Sequence, residues 1–258
     1  TPITEALEPE AVKPNVYRAE LEGAIVLRSR IVVPLSGSEA AQANAALAAS
    51  AWNGLRIDAG EELSFNQTVG LRTSEAGYQA AEEPAYGQNV SGVGGGVCQV
   101  STALYRLALL GGLEIGERNA AVYPVDYCDV GQEAAVSDQG LDLKIVNSTG
   151  MPVFLTARVY ADGDGQTMEL QLIGLELDES YTLASETETI APPEEPIYVR
   201  DSEGRYAAYS DERIPVGEPM PGYRVTVRLI SETDEKIVSQ DEYDAIPQII
   251  YVGVSQRP

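Results

Sequence analysis

The sequence contains no histidine and only two cysteines, Cys98 and Cys128, among its 258 residues. The absence of histidine excludes Ser-His-Asp and Cys-His catalytic sites and histidine-ligated zinc, because each of these needs an imidazole. Two cysteines cannot supply the thiolates of an all-cysteine zinc site, and they can form at most one disulfide. We therefore expect no metal and no other cofactor.

Basic residues are scarce as well. The chain has 17 Lys and Arg against 40 Asp and Glu, a formal net charge of -23. Such a field repels phosphate backbones and anionic lipid, so we expect no nucleic-acid partner. No apolar run reaches the roughly 18 residues of a membrane span, so we expect no direct membrane insertion by this chain. The sequence starts at Thr1 without a signal peptide, and we expect a leader or anchor to lie outside it.

Hydrophobic residues make up 44% of the chain and charged residues 22%, which is typical of globular proteins. Apolar runs predict strands over 24–27 and 31–33, with a bend near Ser29. An alanine-rich helix is predicted from Glu39 to about Trp52, with Leu47 and Trp52 facing inward. A second helix is predicted to begin at Cys98 and to end at Gly111-Gly112.

The second half is predicted to be rich in strands. Candidate strands lie at 122–127, 134–136 and 141–146. The segments 151–160 and 167–174 flank Asp162-Gly163-Asp164-Gly165, which predicts a hairpin, because Asp-Gly favours the positive φ of a tight turn. The alternative, a calcium loop at Asp162 and Asp164, lacks the remaining ligands of an EF-hand. A proline-rich linker at 191–196 precedes several further short strands.

The main candidate for chemistry is Cys98, which follows three glycines at a predicted helix start. The glycines allow close backbone approach, and the first helical turn offers unpaired N–H groups and the positive end of the dipole. A thiol in this position is a candidate nucleophile, with Gln99 as a possible oxyanion donor. Without histidine, a carboxylate must move protons, and the candidates are Glu133, Asp138 and Asp142. Two alternatives remain open: Cys98 is a small buried residue, or it forms a disulfide with Cys128.

Tyrosines are a second candidate feature. Most of them fit half-buried positions on strands. A subset could instead line a groove near Cys98, namely Tyr78, Tyr86, Tyr105 and Tyr127.

Several motifs together resemble the VanW-like family. They are Ser64-Phe65-Asn66, Val69-Gly70, Arg72-Thr73, Gly77-Tyr78, Ala80-Ala81, Gly92 through Tyr105 with its Gly-Gly-Gly-Val-Cys-Gln core, Gly112 through Ile115, Glu117-Arg118, Leu141 through Lys144, and Asn147. The resemblance covers about residues 20–175. The region after 191 resembles a G-five module, through Pro192-Pro193, Val199, Asp201, Ile214-Pro215, Gly217, Gly222, Val225 through Arg228, Ser239, Tyr243 and Ile250 through Gly253.

The resemblance implies an α+β fold: a VanW-like domain whose Cys-bearing helix packs on a mainly antiparallel sheet, followed by a small all-β tail. It implies a flexible N-terminal segment at 1–19, the VanW-like domain at 20–190 and a G-five-like tail at 191–258. VanW-like proteins occur in Gram-positive bacteria, are secreted or tethered to the membrane, and take their name from glycopeptide resistance. G-five modules are associated with polymers that contain N-acetylglucosamine.

The chain departs from the family pattern at three places. Asn119-Ala120-Ala121 replaces the usual histidines, Glu133-Ala134-Ala135 replaces an Asp-Ala-Thr-type triplet, and Cys128 replaces a proline. If the family uses Cys, His and Asp in catalysis, these departures predict a binding-type member that keeps Cys98 and has lost its catalytic partners.

We therefore expect an extracellular or cell-surface protein that binds peptidoglycan, another wall polymer or an envelope protein, and is not an enzyme. The expected ligand-binding residues are Gly94, Gly95, Gly96, Cys98, Gln99, Arg72, Tyr78 and Tyr105. The alternative is a transglutaminase-like amidase or transpeptidase acting on wall peptides, with Cys98 as nucleophile and Gln99, Glu133 and Asp142 assisting. A spacer without any ligand is the third hypothesis.

Overall fold

The fold was obtained as a computed structural model, which describes residues 25–85, 88–163 and 165–256. It is a mixed α+β structure that is largely β, as the sequence predicts. The elements of the first part are β1 (Ile25–Pro34), α1 (Glu39–Ser50), β2 (Leu55–Ile57), β3 (Glu62–Ser64), α2 (Phe65–Val69), β4 (Ala80–Ala85), β5 (Gln88–Val93), α3 (Cys98–Leu110), β6 (Glu114–Glu117), β7 (Lys144–Val146), β8 (Val153–Asp162) and β9 (Gly165–Leu175).

The central layer is an antiparallel sheet with strand order β1-β9-β8-β2. Helix α3 contacts β1 and β9, and α1 contacts β8. The predicted bend near Ser29 is a register shift between Leu27 and Ser29. The Ser29 hydroxyl donates to the carbonyl of Leu107, 2.8 Å away, and so joins the bent strand to α3. The sheet and the two helices share one hydrophobic core.

Helix α1 begins where the sequence predicts, because the Ser38 hydroxyl accepts a hydrogen bond from the amide of Ala41. Its buried face consists of Ala41, Asn44, Ala45, Ala48 and Ala49. Trp52 is fully buried as predicted, and its ring stacks on Phe65 with 5.8 Å between centroids. The inward placement of Leu47 is wrong: this side chain is 37% exposed. The close approach of neighbouring backbone to α1 favours the small alanines on the inner face.

Three strand predictions need correction. Residues 122–127 and 134–136 are irregular, and within 141–146 only β7 is a strand. The hairpin of β4 and β5 was not predicted. The β8–β9 hairpin is confirmed, with Gly163 at a φ of 61° in its turn. Asp164 lies outside the described residues, and those residues contain no group of three or more His, Cys, Asp or Glu that could hold a metal.

The remaining strands are β10 (Thr182–Ala191), β11 (Ile197–Asp201), β12 (Arg213–Val216), β13 (Gly222–Ile230), β14 (Glu235–Tyr243) and β15 (Ile249–Gly253). They form two sheets, β10-β13-β14 and β11-β15-β12, and β11 pairs with β15 in parallel. Strand β10 crosses the predicted boundary at 190/191, because it ends at Ala191, and it pairs with β13, which follows that boundary. We call the two sheets together the tail.

The tail packs against the irregular segment 129–136. Gly131 has a φ of +83°, and a Cβ atom there would lie 2.7 Å from Cγ1 of Val225. The two parts of the chain therefore share a tightly packed contact. Within the described ranges, no helix is long and apolar enough to cross a membrane.

Candidate functional site

The loop before α3 has a structural need for glycine at two positions. Gly96 has a φ of +97°, and a Cβ atom there would lie 2.3 Å from the carbonyl oxygen of Ala41. Gly94 has a φ of +91°, and its Cβ would lie 2.8 Å from Cβ of Arg72. The carbonyl of Gly95 accepts a hydrogen bond from Nδ2 of Asn44 at 2.9 Å. The triple glycine thus lets the loop pack directly on α1.

The first turn of α3 does not present the open row of amides that the sequence predicts. The amide of Val97 donates to Gly94, that of Gln99 to Gly96 and that of Val100 to Val97, over 3.3, 3.2 and 2.9 Å. Tight turns of this kind satisfy donors that a helix start otherwise leaves unpaired. The expectation of a ready anion hole is therefore wrong for these three N–H groups.

Cys98 lies half-buried at the start of α3. Its thiol donates a weak hydrogen bond to the carbonyl of Val136, with 3.5 Å between sulfur and oxygen. The two cysteines are not joined by a disulfide. Burial raises the pKa of the Cys128 thiol to about 12, and the Glu133 charge adds to this shift.

Gln99 is buried and bonded to Ser36 through both polar ends of its side chain. Its Oε1 accepts from the Ser36 amide at 2.8 Å, and its Nε2 donates to the Ser36 carbonyl at 3.2 Å. These bonds hold α3 against the loop between β1 and α1. They give Gln99 a structural role, and its role as an oxyanion donor stays a prediction.

Glu133 lies in an ionic network between the irregular segment and the tail. One carboxylate oxygen, Oε1, accepts from the Tyr243 hydroxyl and from the Arg118 guanidinium, and Oε2 accepts from the Gly131 amide at 2.8 Å. Arg118 also pairs with Asp241 of β14. The side chain of Glu133 is 1% exposed. These bonds give Glu133 a structural role at the contact with the tail, and its role in proton transfer stays a prediction.

Asp142 and Asp138 also have structural partners. The carboxylate of Asp142 accepts from the Ser64 hydroxyl at 2.5 Å and from the Asn66 amide at 2.9 Å, and so fixes the start of α2. Asp138 forms an ion pair with Arg72, with 2.7 Å between Oδ1 and Nε. These bonds give both carboxylates structural roles, and their role as a base for Cys98 stays a prediction.

Two of the predicted ligand-binding side chains, Arg72 and Tyr78, lie close together beside the glycine loop. Arg72 is buried under Gly94 and donates to Oδ1 of Asn66 at 2.7 Å. Tyr78 is buried as well, and this burial raises its pKa while the Arg72 charge opposes the shift. Both side chains are therefore largely shielded from solvent.

Tyr105 belongs to a different neighbourhood. It is buried, with the Arg118 guanidinium 5.5 Å from its ring centroid, on the side of α3 that meets the tail network. Burial raises its pKa, and the Arg118 charge opposes this. Tyr86 lies outside the described residues, and Tyr127 lies in the stretch 122–127, which is not a strand. The structure thus brings Arg72, Tyr78 and the glycine loop together and places Tyr105 with Glu133.

A cavity that the sequence analysis missed lies in the tail. It is open to solvent, has a volume of about 300 Å³ and is lined by Arg200, Asp201, Ser202, Glu203, Arg205, Tyr206 and Tyr251. The rings of Tyr206 and Tyr251 stack with 4.3 Å between centroids and 24° between planes. The turn at 202–206 and strand β15 are far apart in the sequence, and no sequence pattern predicts that they lie together. The parallel pairing of β11 with β15 brings Tyr251 next to this turn and so forms the site. We call it the tail cavity.

The protein is of the α+β class. Its cysteine Cys98 begins helix α3 directly after the glycine loop, and further β-sheets follow. The family model described as VanW like protein matches residues 40–171, and the chain belongs to this family. It is 35% identical over 125 residues to the uncharacterised protein YoaR of Bacillus subtilis, covering 48% of this chain and 41% of YoaR. It is 34% identical over 111 residues to vancomycin B-type resistance protein VanW of Enterococcus faecalis, covering 41% of this chain and 40% of that protein.

The matched region thus spans about two fifths of each of these relatives. Among solved structures, the crystal structure of HP0197-G5 matches 29% of this chain and 99% of its own, with 15% identity and a TM-score of 0.15. A TM-score this low assigns no fold to the tail.

Proposed function

We propose that this chain is a non-catalytic, extracellular member of the VanW-like family that binds peptidoglycan, another wall polymer or an envelope protein. Membership of the family supports a role in the cell envelope, since one relative is named as a vancomycin B-type resistance protein. The acidic charge of the chain favours partners that carry basic groups, such as amines in wall peptides.

The observation that carries the proposal is that Gln99, Glu133 and Asp142, three of the predicted catalytic partners of Cys98, each form hydrogen bonds with other residues. Glu133 bonds to Arg118 and Tyr243, Asp142 caps α2, and Gln99 bonds to Ser36. The chain has no histidine. A thiol nucleophile needs a base within hydrogen-bond reach, which also serves as the acid for the leaving group. These side chains serve structure instead, which supports binding over catalysis.

The second candidate function is thiol-dependent amide transfer or hydrolysis on wall peptides. One observation favours it: Cys98 is half-buried rather than fully enclosed, and it begins a thirteen-residue helix. In this alternative, Cys98 attacks the amide carbonyl, the C–N bond breaks and a thioester forms, while a carboxylate passes the thiol proton to the leaving amine. Water or a second wall amine then attacks the thioester and restores the thiol.

Co-sedimentation with insoluble peptidoglycan tests the proposal. We expect the wild-type chain to pellet with the polymer, and Cys98→Ala to bind with unchanged affinity. Cys128→Ala is the matched control, because it removes the thiol that is not at a helix start. Failure of the wild-type chain to pellet with peptidoglycan, other wall polymers or membrane-free envelope extract would overturn the proposal.

A further inference from the structure

The tail cavity is built around a buried aspartate. Oδ2 of Asp201, at the end of β11, accepts hydrogen bonds from the amides of Tyr206 and Ala207 at 2.6 and 2.8 Å. These amides hold the pKa of Asp201 below its ordinary value, so the carboxylate stays charged. The bonds fix the turn at 202–206 and with it the side chains that line the cavity.

Two arginines of this cavity differ from most others in the chain. Arg200 and Arg205 form no ion pair with any carboxylate in the described ranges, although acidic residues outnumber basic ones by 40 to 17. Elsewhere many guanidinium groups are paired, among them those of Arg30, Arg72, Arg118, Arg158, Arg224 and Arg228. Two unpaired guanidiniums in one cavity offer forked donors to a carboxylate or phosphate.

The stacked tyrosines provide the second recognition element. Tyr206 is 38% exposed while its ring stacks on Tyr251, so one flat aromatic surface borders the cavity. Such a surface packs against a flat ligand with an apolar face, such as a sugar ring. Ser202 and Glu203 are exposed beside it and can bond to hydroxyl groups. A volume of about 300 Å³ lies at the lower end for small-molecule sites.

We propose that the tail cavity binds an acidic saccharide unit. Its sugar ring lies on Tyr206 and Tyr251, and its carboxylate or phosphate pairs with Arg200 and Arg205. This assignment names a ligand class for the proposed binding function and rests on it. The acid on the sugar distinguishes the ligand from a neutral sugar, which would leave both guanidinium groups without an ion-pair partner. The two guanidinium groups make this cavity a local exception in a chain whose net charge of -23 otherwise favours basic partners.

Titration of the whole chain with small sugars tests this inference. The probes are glucuronate for the carboxylate, glucose monophosphate for the phosphate, neutral glucose, and inorganic phosphate alone. We expect at least one of the two acidic sugars to bind about tenfold more tightly than glucose, as a charge-assisted hydrogen bond predicts. Preference for the carboxylate or for the phosphate then identifies the acid. Equal affinity for acidic and neutral sugars, or inorganic phosphate binding as tightly as the sugars, would overturn the assignment.

Variants locate the binding. Arg200→Gln/Arg205→Gln is expected to lose the roughly tenfold preference, whereas Arg213→Gln/Arg224→Gln makes the same charge change outside the cavity and is expected to retain it. Tyr206→Ala is expected to weaken binding of all sugars equally. If the double variant fails to fold, Arg205→Lys keeps the charge and loses only the forked geometry, and is expected to lower the preference. Unchanged preference in a folded arginine variant contradicts the inference.

The same variants separate this inference from the proposed function. A chain that pellets with peptidoglycan equally well with and without Arg200 and Arg205 refutes the tail cavity as the site and leaves the proposed function intact. A chain that binds acidic sugars through these arginines but pellets with no envelope polymer or protein supports the cavity and refutes the proposed function.

Discussion

The hydroxyl of Tyr243 donates a hydrogen bond to the carboxylate of Glu133, 110 positions earlier in the chain. Tyr243 ends β14 of the tail, and Glu133 belongs to the irregular segment that packs along α3. Burial and the neighbouring Glu133 both raise the pKa of Tyr243, so the phenol stays protonated and donates. This contact, together with the pairs that Arg118 forms with Glu133 and Asp241, joins the tail to the part of the chain that precedes it.

Removal of Glu133 is expected to destabilise the protein. Glu133→Ala leaves Arg118 short of one partner in a buried site, and breaking such a pair typically costs about 3 kcal/mol or more of unfolding free energy. Urea denaturation measures the loss. Glu186→Ala removes a carboxylate that is 74% exposed, and is expected to change stability by less than about 0.5 kcal/mol. Equal stability of Glu133→Ala and wild type would refute the structural role of Glu133.

The stability of the protein is expected to depend on pH through the carboxylate of Glu169 in the central sheet. Glu169 accepts hydrogen bonds from Arg30 and Arg158, and these lower its pKa from 4.5 to about 2. Because the folded pKa lies below the unfolded one, this stabilisation is present above about pH 4.5 and is lost as pH falls toward 2. The difference in urea midpoint between wild type and Glu169→Gln should therefore narrow over this range. A difference in urea midpoint that does not change with pH would contradict the lowered pKa of Glu169.

The two thiols should react at different rates in the folded chain. Only the thiolate is alkylated, and burial raises the pKa of Cys128 to about 12. At neutral pH, iodoacetamide is therefore expected to label Cys98 first, and the labelling of Cys128 should rise steeply toward high pH. Peptide mapping by mass spectrometry reads both sites. Under denaturing conditions without reductant both should label, and protection of both until reductant is added would indicate a disulfide.

Gly96 is expected to tolerate no side chain. Alanine there would place its Cβ 2.3 Å from the carbonyl oxygen of Ala41, at a φ that side chains rarely adopt. We expect Gly96→Ala to cost about 2 kcal/mol or more of unfolding free energy. Gly92→Ala is the matched control, since its Cβ would meet nothing within 4 Å, and about 0.5 kcal/mol or less is expected. Similar stabilities of the two variants would refute the close packing of the glycine loop on α1.

Local patterns predicted the elements that local chemistry determines. Ser38 marks the start of α1, and Asp162-Gly163 marks the β8–β9 turn. The apolar run at 122–127 gave a wrong strand. Residues 122–127 are irregular. In the irregular segment 129–136, side chains bond to backbone groups that a neighbouring strand would otherwise satisfy. The Thr102 hydroxyl, for example, accepts a hydrogen bond from the amide of Ala134.

In the candidate site too, the sequence predicted only what neighbouring residues determine. Its cysteine was predicted, because three glycines and a helix start are contiguous in sequence. Sequence alone makes Glu133 a catalytic candidate because its partner Tyr243 lies more than a hundred residues away, as does Asp241 from Arg118, with which it pairs. The tail cavity was missed because the parallel pairing of β11 with β15 joins segments that no periodicity relates.

The most direct test of the central claim combines binding and product analysis in one sample. Wild type and Cys98→Ala are incubated with peptidoglycan, the pellet is assayed for protein, and the supernatant is analysed by mass spectrometry for cleaved or transferred wall peptides. The account predicts equal binding by both proteins and no product from either. Peptide products that appear with wild type and disappear with Cys98→Ala would contradict it and establish the thiol-dependent enzyme.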